Sequence, residues 1–325
     1  MINEVIARVK KFQYQKYAVF IALAVLFVIS AIVSPYFIKI QNLLNILRQV
    51  SYIGIISLGM TFVMIGGGID LSVGSLVAFI GAVGMLTVNY LMAIFNNEYI
   101  AILGAILAAL IIGILSGALN GFLITRGRIA PFIVTLGTMA IFRSLSLFMA
   151  SAGEIRSVSG RYGEFGTKSI LFLPVPVFIM LILATILSIV LNSTRYGRHL
   201  CAVGSNARVA LFSAINGDRI KFLSYVLCGL TVSVSAIMLT SRFNAVSTSN
   251  TGMGFELDAI TAVIIGGTPF TGGRGTIWGT IIGVIILGII NNMLNMLGVS
   301  PYLQGTVKGL VIIGAVYMQR QKSQN

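Results

Sequence analysis

Residues 43–92 read LLNILRQVSYIGIISLGMTFVMIGGGIDLSVGSLVAFIGAVGMLTVNYLM. They hold two apolar runs, 43–65 and 71–92. Each is long enough to cross a bilayer, since a span takes about 20 residues at about 1.5 Å rise. Between them stand Gly66-Gly67-Gly68-Ile69-Asp70. The glycines interrupt one helix and a second restarts, with Asp70 able to accept hydrogen bonds from amides at the new helix start, as an N-cap does. Irregular backbone at membrane depth must border protein or a watery cavity, because hydrocarbon cannot satisfy its polar groups. The break therefore reads both as a capped restart and as a stretch lining a passage. Gly68, Asp70 and Ser72 are its translocation-path or gate candidates.

Working outward, the same run length recurs at 17–34, 99–125, 131–150, 173–191, 222–241, 276–297 and 302–319, with a shorter piece at 259–267. The short piece either begins earlier or is a half-helix lining a cavity. The expectation is an all-α, polytopic membrane bundle of about ten transmembrane helices, with broken or re-entrant segments. It forms a single transmembrane domain over 1–325 with no soluble domain appended, and the first run is read as a retained helix. Composition agrees: 57% of residues are hydrophobic and 9% charged, against about 25% charged in a soluble domain.

The net charge of +14 in a soluble protein points to nucleic acid. Here the basic residues sit between apolar runs, so no nucleic-acid partner is expected. Arg8, Lys10, Lys11, Lys16, Arg126, Arg128, Arg195, Arg198, Arg208, Arg219, Lys221, Arg274, Arg320 and Lys322 fall on one side of a ten-span topology. Only Lys39, Arg156, Arg161, Lys168 and Arg242 fall on the other. The positive-inside rule then puts both termini, and the loop 192–221, in the cytoplasm, and the loop 151–172 outside.

The glycines are patterned. Gly113, Gly117 and Gly121, then Gly275, Gly279 and Gly283, then Gly305 and Gly309 repeat at helical spacing, which allows close backbone approach within or between chains. Val63-Met64-Ile65-Gly66-Gly67-Gly68 recurs as Val263-Ile264-Ile265-Gly266-Gly267-Thr268, a hint of two related halves. Gly266, Gly267 and Thr268 join the path or gate candidates. Before that second break, Asp258 reads as a cap for a helix starting near Ala259, and Glu256 as a residue facing an external partner. Arg143 and Lys308 lie inside spans, where charges are costly and serve either a pore or a structural purpose.

No catalytic residues are assigned. G-x-x-x-x-G-K-[ST] is absent; in Gly166-Thr167-Lys168-Ser169 a threonine precedes the lysine. One histidine, His199, excludes H-E-x-x-H, and G-x-S-x-G does not occur. No metal or cofactor is expected, and the chain is read as not an enzyme. An ion-coupled transporter would want midplane carboxylates, and Asp70 alone could serve.

The loop from Arg195 to Lys221 holds one further short helix, over about 207–215. Ser205 or Asn206 can cap it and Gly217 can close it. With Val209, Ala210, Leu211 and Phe212 it is suited to a partner's groove or to lipid headgroups.

Across almost its whole length the chain resembles the ribose-type permeases of ABC importers. The resemblance rests on Gly68-Ile69-Asp70-Leu71-Ser72-Val73-Gly74-Ser75, Thr135-Leu136-Gly137-Thr138, Gly254-Phe255-Glu256-Leu257-Asp258-Ala259-Ile260, Gly266-Gly267-Thr268, the loop Gly197 to Ile215, and Asn291-Asn292 through Gly298-Val299-Ser300-Pro301-Tyr302. It implies a type II-like importer permease in a bacterial plasma membrane. It also implies a second permease copy, a cytoplasmic ATPase often carrying two nucleotide-binding modules, and an extracytoplasmic solute-binding protein. The cargo would be a small polar solute, most often a monosaccharide; relatives carry autoinducer-2-like compounds or nucleosides. The ATPase-coupling residues become Gly204, Ser205, Asn206, Ala207, Val209, Ala210, Phe212, Ala214 and Ile215, and Glu256 and Asp258 become candidate contacts for the binding protein. Two departures fall here: Ser205 and Ala214 stand where the family usually has glycine. Serine caps well and alanine favours a helix more than glycine does, so coupling is expected to survive.

Overall fold

The computed structural model describes residues 19–300, 303–310 and 313–314. In chain order the helices are α1 (Val19–Val33), α2 (Ile40–Ile65), α3 (Val73–Phe95), α4 (Glu98–Thr125), α5 (Pro131–Met149), α6 (Gly160–Thr167), α7 (Val175–Ser193), α8 (Arg195–Ser205), α9 (Ala207–Phe212), α10 (Gly217–Phe243), α11 (Phe255–Ile265) and α12 (Ile277–Met296). Residues 303–310 form a further helix, α13. The strands are short: β1 (Glu154–Arg156), β2 (Ser169–Ile170), β3 (Leu173–Pro174) and β4 (Ala245–Ser247).

Among the described residues seven helices, α2, α3, α4, α5, α7, α10 and α12, have the length and hydropathy to cross a membrane. The apolar runs predicted each of them, to within a few residues at most ends. The run 17–34 becomes the shorter α1. The run 302–319 lies partly outside the described residues, and its described part is helical. The short piece at 259–267 becomes the half-helix α11, which starts at Phe255 because Gly254 takes φ +79 and turns the chain into it.

α2 and α10 form the centre, and α10 packs along both α2 and α4. Small residues make this possible. A Cβ on Gly113 would collide with the Gly229 carbonyl, one on Gly229 with the Gly113 carbonyl, and one on Gly117 with the Tyr225 carbonyl. With no water to expel between helices in lipid, such close van der Waals packing drives association. The stripe Gly113-Gly117-Gly121 is thus spent inside the chain. So are Gly279 and Gly283, which lie against the Gly266 and Ala262 carbonyls of the α11 end. The outer faces are apolar in the way lipid requires: Leu103, Leu107, Ile111 and Leu115 are exposed along α4, and Ile182, Ile186 and Ile189 along α7.

The two ends of the bundle differ. At one end the loop 151–172 is ordered by its own structure: β1 pairs antiparallel with β4, Glu154 opposite Ser247 and Arg156 opposite Ala245. The Ser159 hydroxyl caps α6, and the Tyr162 hydroxyl meets Thr240 of α10 at 2.8 Å. At the other end α8 and α9 lie beyond the spans. α8 is pinned by Leu200 and Val203, both buried, and by a stack of Tyr196 on Phe62 at 6.1 Å between ring centroids.

Candidate functional site

The two glycine breaks are the same object built twice. At the end of α2 the Gly67 amide donates to the Met64 carbonyl at 2.9 Å and the Gly68 amide to Val63 at 3.0 Å; at the end of α11 the Gly267 amide donates to Ile264 at 2.9 Å and the Thr268 amide to Val263 at 3.1 Å. Both are Schellman termini, which need a left-handed residue just past the helix. Gly67 at φ +76 and Gly267 at φ +96 supply it. The repeated hexapeptide therefore marks a repeated structure.

After the first break the chain stays inside the bundle. Asp70, 3% exposed, accepts the Ser72 amide at 2.9 Å, the Ser72 hydroxyl at 2.6 Å and the Asn120 side-chain amide at 3.4 Å. Asn120 also donates to the Ser72 hydroxyl at 3.1 Å, and the Tyr225 hydroxyl donates to the Ile69 carbonyl at 3.1 Å. Asp70 thus accepts an amide at the start of α3 as expected, although the N-cap position itself is held by Ser72, whose side chain makes no capping hydrogen bond. Asp70 sits two residues earlier and closes a turn onto Ser72, as aspartate does ahead of helices. Gly68, Asp70 and Ser72 come together as expected. Gly266, Gly267 and Thr268 lie at the other break.

Asp258 does not cap α11. Gly254 holds that position. Asp258 lies in the first turn, buried, and its Oδ2 accepts from Lys308 Nζ at 2.9 Å. A buried carboxylate must be paired, and this one is engaged inside the chain. Glu256 is half-buried with its carboxylate beside Gly74. Arg143 also serves the fold: its Nη1 donates to the carbonyls of Thr248 at 2.7 Å and Thr251 at 3.1 Å. It thereby holds the 248–251 turn, which re-enters the bundle until Gly252 meets Gly74 backbone to backbone.

A cavity of about 550 Å³ opens beside the first break. Its lining includes Gly66, Gly67, Gly68, Thr125, Arg128, Asp218, Lys221, Ser224 and Tyr225. The glycines of this lining were singled out from sequence. The rest were not, because α4, α5 and α10 bring them together from distant parts of the chain.

α9 is the most exposed apolar element at its end of the bundle. Asn206 caps it, its Oδ1 accepting from the Arg208 amide at 3.0 Å and the Val209 amide at 3.2 Å, so of the two predicted caps asparagine is the one used. Ala210 is buried beneath the helix, while Val209, Leu211 and Phe212 point outward, Phe212 being 89% exposed. The helix ends at Phe212, short of 215, and Gly217 opens α10 rather than closing α9. The closing residue is Ala214 at φ +58. The Ile215 amide donates to Ala210 and the Ala214 amide to Leu211, both at 3.0 Å: a third Schellman terminus, with alanine in the glycine seat. The helix preference of alanine is thus beside the point, since Ala214 is not in the helix.

A many-helix membrane bundle with twin glycine-broken helices, and an apolar helix offered beyond one end, is the build of a permease. Comparison with known proteins identifies which kind. The family described as "Branched-chain amino acid transport system / permease component" matches residues 42–316. The ribose import permease protein RbsC of Bacillus subtilis is 44% identical over 311 residues, covering 95% of this chain and 94% of that one. The RbsC protein of Escherichia coli K12 is 41% identical over 306 residues, 93% and 92% of the two chains. The D-allose transport system permease protein AlsC of the same organism is 37% identical over 308 residues, 94% and 92%. No solved structure matches. The chain belongs to this permease family, and it is a multi-pass membrane protein.

Proposed function

We propose that this chain is the membrane-spanning subunit of an ABC importer that carries a monosaccharide, ribose or a related pentose or hexose, across a bacterial plasma membrane. Its relatives named as ribose and allose permeases support the cargo. The observation that carries the mechanism is α9: a capped apolar helix held outside the spans, with Phe212 89% exposed and basic residues around it, fits a groove on a partner. In this reading the partner is a cytoplasmic ATPase with two nucleotide-binding modules. Both termini share its side, a second permease copy completes the pathway, and an extracytoplasmic binding protein delivers the sugar. The segments Gly68–Ser72 and Gly266–Thr268 act as gate elements. ATP-driven closure of the ATPase displaces α9 and switches the access side, the two states differing in how α9 is held.

Reconstitution tests this. The permease, its ATPase and its binding protein in vesicles should accumulate radiolabelled ribose when ATP is supplied and not when a proton or sodium gradient is supplied alone. Accumulation driven by the gradient alone would place the chain with secondary transporters instead. Leakage down the sugar gradient without either would place it with channels.

A further inference from the structure

Three separate stretches of the chain meet at one backbone atom. The carbonyl oxygen of Ile65, the last residue of α2, accepts the Gly273 amide at 2.8 Å. Gly204, at the end of α8, lies against the same oxygen: a Cβ there would collide with it and stand 2.7 Å from the Gly273 nitrogen. A Cβ on Gly272, which has φ +82, would stand 2.8 Å from that oxygen and 2.9 Å from the Gly67 nitrogen. The Ser205 hydroxyl closes the group by donating to the Gly273 carbonyl at 3.4 Å. Gly273, at φ +83, leaves room only for hydrogen against the Ser205 backbone.

Apart from the Ser205 hydroxyl, these contacts are main chain against main chain. A side-chain contact between α8 and α2, such as Leu200 against Gly66, can give by changing rotamer. A carbonyl wedged between three glycines cannot, so displacement of one stretch must carry the others or break the hydrogen bond. The wedge also sits one residue from α9, because Asn206 alone separates α8 from α9. On its far side it touches the first break, to which Ile65 and Gly67 belong, and the loop that follows the second, where Gly272 and Gly273 lie; Gly275 on that loop packs between Ile65 and Thr268 of the second break.

We propose that the Gly204–Ile65–Gly273 contact is the joint through which the α8–α9 segment moves both glycine breaks as one body, with Gly204 and Gly273 as its positioning residues. The source of the force rests on the proposed function. The joint itself rests on the contacts alone, so two arms separate the two ideas.

The first arm uses the purified permease without ATPase and reads hydrogen exchange. Peptides covering 203–206, 64–68 and 271–274 should open with one shared rate and be slowed or quickened together by mild denaturant. Independent opening of these three segments overturns the joint whatever the chain transports. The second arm uses vesicles holding permease, ATPase and binding protein. Gly204→Ala should keep the ATPase bound and hydrolysing while sugar taken up per ATP falls about tenfold, the scale on which residues between coupled sites act. Phe212→Ala should instead weaken ATPase binding itself. Unchanged uptake per ATP in Gly204→Ala overturns the joint, as does loss of the ATPase in place of loss of coupling. Should Gly204→Ala not fold, the exchange arm, run on the native chain, gives the decision. If the native chain shows no ATP-driven uptake, the proposed function fails and the exchange arm still decides the joint.

Discussion

Replacing Ala214 by glycine should make the end of α9 more stable. The perturbation removes one methyl group from a residue held at φ +58, where a side chain crowds the following carbonyl at a cost of about 1–2 kcal/mol. Glycine also loosens the unfolded chain, which takes back about 0.4–1 kcal/mol. The balance is a gain of about 0.5–1 kcal/mol, with no loss of packing, because the Ala214 side chain is exposed. At about 1 kcal/mol the opening equilibrium of the terminus falls about fivefold. The reporter is the Ile215 amide, bonded to the Ala210 carbonyl across the turn at 3.0 Å. Its hydrogen exchange in the native chain should slow by that factor in Ala214→Gly and quicken in Ala214→Val, whose branched side chain tolerates this backbone region less. Equal or faster exchange in the glycine variant would refute the reasoning, since it would mean that the terminus does not hold Ala214 in the left-handed conformation.

Other expectations are shorter. Asn206→Ala removes the acceptor of two α9 amides and should cost about 1 kcal/mol of local stability, read as faster exchange at Arg208 and Val209. Lys308→Met strands the buried Asp258 carboxylate and should lower stability by about 3 kcal/mol, measured by thermal unfolding in detergent; adding Asp258→Asn should recover much of the loss. Gly229→Leu should drive α10 off α4, because the Gly113 carbonyl occupies the space, and should abolish a folded monomer by size-exclusion chromatography. Burial lifts the Tyr162 hydroxyl to about 12. The un-ionised form is the one the fold favours, so this contribution is complete below about pH 10, the unfolded value, and is lost as pH rises through about 12. Alkaline titration of phenolate absorbance should show the late component smaller by one tyrosine in Tyr162→Phe than in the native chain.

The sequence announces the parts of this fold that are periodic or local. Apolar runs of membrane length place the spanning helices, and the glycine triplet after Ile65 places the first break. The repeated hexapeptide marks the twin termini because a left-handed residue past a helix end has to be glycine or pay for it. Asn206 was readable as a cap for the same local reason. What the sequence leaves open is who meets whom across the bundle. Asp258 looks like a cap because aspartate before an apolar run usually is one; its partner Lys308 lies fifty residues on, and no spacing rule connects them. Arg143 finds its carbonyls about a hundred residues away. Ala214 misled through propensity: alanine's preference for helix is real, but the turn had already left the helix.

The end of the bundle that carries β1, β4 and α6 is fastened by a strand pair, an arginine across two carbonyls and a tyrosine to a threonine, whereas the opposite end meets through bare glycine backbone. In the transport cycle proposed above, the fastened end is the natural fulcrum: with the helices as lever arms the length of a bilayer, a small rotation there gives the jointed tips their widest arc where α8 and α9 attach.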